Sequence, residues 1–460
     1  MINLKKTKTL YFFLILFVIL IVVFFINPQR SRTMIMKIVP SEIRLKFKTV
    51  IFGKKYLENK RYYYEINYNE KKLPQIQFEK LETIKLDVNS LIKKPEKNKQ
   101  GGAGYGSFQT AFIEEYENDI MLITHDGAIK IIRNLNPNNV ENFKTNLKEN
   151  IKVVGSLKDG NTLYLAIYNL LNVDYVKRNK KDIAYKCYTM EVQKSIINKN
   201  QKSLNFDTIF ETDECSGFYM GGGEFAINKK ENKLYLTTSS SSPGYKDLAQ
   251  DDSSVQGKII QIDLNTNNYK IYTKGHRNSL GLLLTKDNFL ISTENGPYGG
   301  DEINKIIEGE NYGWPISSYG EYYGFYIKNI DYEYKKNHSS YNYKEPIFAF
   351  VPSIGISRII EIPNDFSKYM NDNFFITSLN RRSIYRSKFD DWYNKLLFRE
   401  EIRVGGRVRD IAYLKNSKSF VLYLEDVTKL MILKSKNWLF LQKEKNLNFG
   451  PSIIENRNFL

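Results

Sequence analysis

Histidine and cysteine are scarce in this 460-residue chain: the histidines are His125, His276 and His338, the cysteines Cys187 and Cys215. Cysteines of that number and spacing exclude a cysteine-based zinc site. They flank a polar connection through Asn198 to Ser203, Cys187 in the strand-like AYKCYTMEV and Cys215 in the loop DECSGFYM. A disulfide and a pair of unpaired buried thiols both stay open, because sequence carries no Cα separation. No basic recognition motif accompanies the formal charge of +17, and lysine, asparagine, isoleucine and tyrosine are abundant from end to end. The charge therefore reads as compositional bias, and nucleic acid is not an expected partner.

No small-residue cleavage pattern follows the apolar run from Leu10 to Ile26, which continues as Asn27-Pro28-Gln29-Arg30. As a helix the run would span about 26 Å, just enough to cross a bilayer. Lys5, Lys6 and Lys8 precede it, and the pattern predicts an uncleaved signal anchor over residues 1–27 with the body on the extracytoplasmic, periplasmic side. Arg30 and Arg32 weaken the charge bias, and a cleaved secretory signal is the competing reading. Residues 28–103 are basic, tyrosine-rich and weakly patterned. They are expected to form an accessory stalk or linker without chemistry of its own.

From Gly104 the pattern changes to short apolar runs broken by polar turns. Ile120 to Thr124 meets His125-Asp126-Gly127, Leu163 to Tyr168 follows Asp159-Gly160-Asn161, Leu234 to Thr238 follows Lys230-Glu231-Asn232, and Phe420 to Leu424 follows Asn416-Ser417-Lys418. Hairpin units spaced about forty to sixty residues apart suit propeller blades. The expectation is an all-β, six-bladed β-propeller over residues 104–434, with a C-terminal extension over 435–460.

The densest polar segment, Gly275 to Pro315, reads GHRNSLGLLLTKDNFLISTENGPYGGDEINKIIEGENYGWP. Leu282 to Thr285 and Phe289 to Thr293 are split by Lys286-Asp287-Asn288, as in a tight antiparallel hairpin. The order GHRN, ENGPYGGDEIN, NYGWP resembles the soluble quinoprotein glucose dehydrogenases, also called glucose/sorbosone or aldose sugar dehydrogenases. These are six-bladed propellers that use pyrroloquinoline quinone (PQQ) and calcium, and the resemblance covers roughly Gly104 to Lys434.

The resemblance implies the following roles. Arg277 and Asn278 of GHRN would reach the quinone, guanidinium donors suiting its carboxylates and an amide its quinone oxygen; the bland alternative is that Arg277 ties a blade turn. Gly296 and Pro297 would hold the catalytic calcium through their carbonyls. Asp301, Glu302 and Tyr312 align with a second, structural calcium, to which Tyr312 would contribute its backbone oxygen, although an Asp-Glu pair is by itself an ordinary solvated turn. Gly406-Arg407-Val408-Arg409-Asp410 resembles the family's R-x-R-D entry to the last blade, and alternation puts Arg407 and Arg409 on one face. In SLNRRSIYR, Asn380 and Arg381 stand where relatives carry a cofactor-binding lysine.

One departure bears on catalysis. Where the family has His-x-Gly-Gly-Arg, this chain reads Met220-Gly221-Gly222-Gly223-Glu224, so a thioether replaces the imidazole base. A thioether accepts no proton at neutral pH. Glu224 is the nearest substitute, and it is equally placed to pair with Arg277 or another cation. Two readings follow: a membrane-anchored PQQ-dependent dehydrogenase that oxidises a sugar or small alcohol for an unidentified electron acceptor, or an inactive propeller that binds a glycan or protein. A propeller lactonase would need a metal-lining set of carboxylates, and none is seen.

Overall fold

A computed structural model describes residues 80–94, 108–178, 181–198, 201–215, 221–240, 246–297, 299–320, 337–367 and 370–436. The run from Leu10 to Ile26 and residue Met220 lie outside these residues. Among the described residues no helix is long and apolar enough to cross a membrane.

Among the described residues six sheets carry the fold, antiparallel throughout except where Ser203–Leu204 joins the edge of blade one in parallel. Their innermost strands are Ala111–Tyr116, Ile151–Asp159, Phe225–Asn228, Ser279–Leu284, Ile356–Glu361 and Val408–Leu414, in blades one to six. Each inner strand touches the next, and that of blade six meets that of blade one, so the ring closes about an axis. This is the six-bladed propeller that the recurring strand-turn-strand pattern predicts. The hairpin expected in the GHRN segment is present as Ser279–Leu284 against Leu290–Glu294, with Asn288 at φ 66° in its turn.

Closure differs from the sequence reading in one respect. Lys80–Asp87, inside the stretch assigned to the stalk, is the outermost strand of blade six and pairs antiparallel with Lys429–Lys436, Lys80 opposite Lys436 and Asp87 opposite Lys429. The last blade is thus completed by the beginning of the propeller chain. This fastens the ring and leaves no unpaired gap between its ends.

Strand alternation explains the packing. Adjacent residues point to opposite faces of a blade, so Phe374 packs with Ile291 and Ile303 of blade four, whereas its neighbour Phe375 packs with Phe420 and Leu422 of blade six. The buried apolar residues fall into six clusters, one for each blade-to-blade interface. The stabilisation is therefore distributed around the ring, and the axis is left to polar residues.

In blade two the strands Thr162–Arg178 and Lys181–Ile196 form a hairpin far longer than any other. Cys187, on this hairpin, is bonded to Cys215, with a Cα separation of 4.9 Å. Of the two states that the sequence left open, the disulfide is the one adopted.

Candidate active site

The site forms where the inner strands begin. Blade three is entered through Gly221, Gly222 and Gly223, at φ 110°, 63° and 88°. A Cβ on Gly221 would lie 2.1 Å from Asn278 Oδ1, and one on Gly155 would lie 1.9 Å from the Gly223 carbonyl oxygen. Only glycine permits both the left-handed turn and these approaches. The Gly222 N–H then donates to Asn278 Oδ1 at 3.1 Å.

From Asn278 the polar contacts run on around the rim. The Arg277 carbonyl accepts the Ser240 N–H at 2.9 Å and the Ser239 hydroxyl at 3.0 Å. Its guanidinium stacks on Trp314, 5.4 Å from the ring centroid, and Nη1 donates to the Asn295 carbonyl at 2.7 Å. Arg277 Nε is buried without a hydrogen-bond partner. The Asn295 amide reaches the Ile356 carbonyl at 3.5 Å, and the Ser357 hydroxyl donates to the Arg409 carbonyl at 3.1 Å.

Arg409 and Arg407 share one carboxylate. Arg409 donates to Glu425 through Nε at 2.6 Å and Nη2 at 3.0 Å, while Arg407 Nε donates to Glu425 at 2.9 Å. Arg407 also donates to Asn380 Oδ1 at 3.1 Å and stacks over Phe108 at 4.7 Å. The Arg407 backbone N–H also donates to Asp426 Oδ1 at 2.7 Å. Arg277, Asn278, Asn380, Arg407 and Arg409 thus lie along one continuous rim, with Arg381 exposed beside Asn380.

Glu224 sits within the axial channel, and it is not free. Its carboxylate is paired with Arg358 of blade five, whose Nε also lies 2.8 Å from Asp410 Oδ1 of blade six, at ion-pair distance but without hydrogen-bond alignment. Of the partners that the sequence allowed for Glu224, the cation is Arg358 and not Arg277. Glu114 of blade one accepts the Ser156 hydroxyl at 2.7 Å. It keeps some solvent contact along the channel, yet burial, aided by Asp410, pushes its carboxyl up to about 7. Burial likewise raises Asp410.

Beside the rim, Gly296, Pro297, Glu294, Glu302 and Tyr312 line a cavity of about 10 Å³, the size of one water or ion. Asp301 and Glu302 are neighbours in the strand Asp301–Ile306, so their side chains leave opposite faces. Asp301 accepts the N–H groups of Gly296 at 3.0 Å and Ile356 at 2.8 Å, stitching blade four to blade five, and burial raises its carboxyl. Glu302 instead meets His338 Nε2 at 3.1 Å and the Asn304 amide at 3.3 Å. The two carboxylates therefore do not converge on one point. The Tyr312 hydroxyl is spent on the Lys305 carbonyl at 2.6 Å. Among the described residues no group of three or more His, Cys, Asp or Glu side chains is assembled as a metal site.

The histidines have structural neighbours. His125 Nδ1 lies 2.7 Å from the Val153 carbonyl, and burial lowers its pKa to about 4. His276 is fully buried against Glu294. Burial acts to lower His338, but Glu302 beside it outweighs that effect and leaves it raised.

Sequence reading missed Glu425, Arg358 and Glu294 as site residues. Glu425 follows an apolar strand, where a carboxylate reads as a solvated turn. Arg358 carried a usable signal, a charge set among the isoleucines of ISRII.

A family model described as glucose/sorbosone dehydrogenase matches residues 109–432, more than half of the chain. The aldose sugar dehydrogenase YliI of Escherichia coli is 26% identical over 256 residues, 51% of this chain and 66% of that protein. The chain spans two thirds or less of the curated relatives it matches, 47%, 19% and 66% of their lengths. Among solved structures, the apo form of the soluble aldose sugar dehydrogenase of Escherichia coli superposes with a TM-score of 0.58 at 16% identity, over 77% of this chain and 100% of that one. The PQQ-bound aldose sugar dehydrogenase of Streptomyces coelicolor gives 0.51 at 15% identity, over 77% and 99%. At such identities the structural likeness speaks for the fold.

Proposed function

This chain belongs to the glucose/sorbosone dehydrogenase family, and on that premise we propose that it binds PQQ on its propeller rim and oxidises a hydroxyl of a sugar or other small alcohol. The observation that carries this reading is the placement of Arg277, Asn278, Arg407 and Arg409 along one rim, with Arg277 Nε buried and without a hydrogen-bond partner. Guanidinium groups along one rim fit a ligand carrying several carboxylates.

When bound, the quinone supplies a two-electron acceptor for the hydride that leaves the substrate carbon. The protein's part is to bind and orient. Arg407 and Arg409 would hold the anionic edge, Asn278 would offer the amide nitrogen that its Gly222 contact does not use, and Arg277 lies over Trp314. Gly296 and Pro297 would offer carbonyl oxygens to calcium beside the ion-sized cavity. A second ion at Glu302 would have to take Asp301 through its carbonyl, since that side chain is occupied by N–H donors.

The hydroxyl proton is the weak step. Glu224 accepts it only by giving up Arg358, and loss of general-base help costs roughly 10² to 10⁴ in rate. That same pair favours the second reading, a propeller that binds without turnover. The Cys187–Cys215 bridge supports an oxidising, extracytoplasmic setting for the body, and Leu10 to Ile26 would anchor it.

The test is the full chain in detergent with PQQ and calcium, assayed for dye reduction across a panel of aldoses and simple alcohols. Slow, saturable, substrate-dependent reduction is expected. PQQ binding with no reduction by any of them would favour the binding-only propeller.

A further inference from the structure

A single buried carboxylate holds the dipeptide that carries two of the rim side chains. Glu294 ends the strand next to the inner strand of blade four and is 5% exposed. Its Oε1 accepts the backbone N–H of Arg277. Its Oε2 accepts from His276 Nδ1 at 2.9 Å and from the Ser279 hydroxyl at 3.2 Å. The three donors belong to residues 276, 277 and 279, so they bracket Arg277 and Asn278 on both sides.

The bracket is itself fixed. His276 is fully buried, its Nε2 lies 2.8 Å from Thr273 Oγ1, and its ring stacks on Tyr312 with centroids 4.6 Å apart. Despite burial, these donors keep the Glu294 carboxyl below its ordinary range. The backbone also turns sharply before the bracket, at Gly275 with φ 78°. With its main chain clamped from beneath, the Arg277–Asn278 unit can present its side chains only outward, Arg277 across Trp314 and Asn278 against the glycine turn. The arrangement also gives a reason for two motifs eighteen residues apart in number to occur together: the histidine of GHRN is bonded to the glutamate of ENGP.

Resting on the quinone reading above, we propose that Glu294 is the positioning residue of the cofactor site, acting through Arg277 without touching the ligand. Removal of supporting contacts behind a metal-binding residue costs on the order of 10- to 100-fold in affinity, and the same scale is taken for this arginine.

The experiment is a double-mutant cycle in the full-length protein, read by equilibrium PQQ titration alongside thermal melting. Glu294→Asp keeps the charge but withdraws the carboxylate by one methylene, so it can no longer reach all three donors. It is expected to weaken PQQ about 10- to 100-fold in the native background and by a clearly smaller factor when Arg277 is already alanine, because only Asn278 is then left to position. Equal affinity of E294D and the native protein would overturn the proposal, as would the same loss in both backgrounds. Should E294D fail to fold, Ser279→Ala removes one donor, with an expected loss of about 2- to 12-fold; no loss would be equally fatal. A native protein that does not bind PQQ at all would instead sink the quinone reading, and this inference with it.

Discussion

What a buried carboxylate does in this protein is decided by the donors it receives. Asp301 takes two backbone N–H groups from different blades and acts as a staple. Glu425 takes two guanidiniums, Glu224 takes one, and Glu114 takes a serine hydroxyl and the Lys158 backbone N–H. Glu114 has no cation directly paired with it, and burial, with Asp410 nearby, raises its carboxyl from 4.5 to about 7. The sign follows. The folded chain binds a proton there that the unfolded chain has released, so the contribution of Glu114 to stability is fully present below the ordinary carboxylate range and falls as pH rises toward 7. The size is on the order of 3 kcal/mol. Urea unfolding of the native protein and Glu114→Gln, compared below the carboxylate range and above neutrality, is expected to show the native protein losing that much relative to the variant; a pH-independent difference would count against it. Little of this was legible beforehand. Sequence displays the carboxylates but not their partners, since Arg358 lies 134 positions from Glu224 and Ile356 lies 55 from Asp301.

At the level of elements, local signals were readable and distant ones were not. The hairpin about Asn288 was visible because its turn chemistry sits between its own two strands. The closing strand Lys80–Asp87 was not, because the strand that makes sense of it lies near the other end of the chain. The pairing of Cys187 with Cys215 was undecidable for the same reason, proximity in space being absent from spacing in sequence. That bridge ties the long hairpin of blade two to the segment that leads toward the glycine turn. With a sequence separation of 28 residues, chain-entropy reasoning gives it about 3–4 kcal/mol. Replacing both cysteines by alanine should lower the chemical-denaturation free energy by about that amount with an unchanged fold; an unaltered midpoint would show that the hairpin is held by its sheet alone.

Taken as a whole, the molecule separates stability from chemistry. Six apolar clusters between blades hold the ring, while the polar groups gather at the axis and along the rim where the inner strands begin. The fold was legible because six similar units repeat one pattern, and the rim was legible through motifs that resemble those of a known family. The departures at Met220 and Glu224 were visible as letters, whereas their consequence depended on Arg358. The central claim is that the rim is a basic seat for PQQ. The direct measurement is equilibrium titration of the full-length protein with PQQ in the presence of calcium, set beside Arg407→Ala. Saturable binding by the native protein, weakened about 10- to 100-fold by loss of one charge-assisted contact, is the predicted result. An absence of saturable binding, or a variant indistinguishable from the native protein, would contradict it.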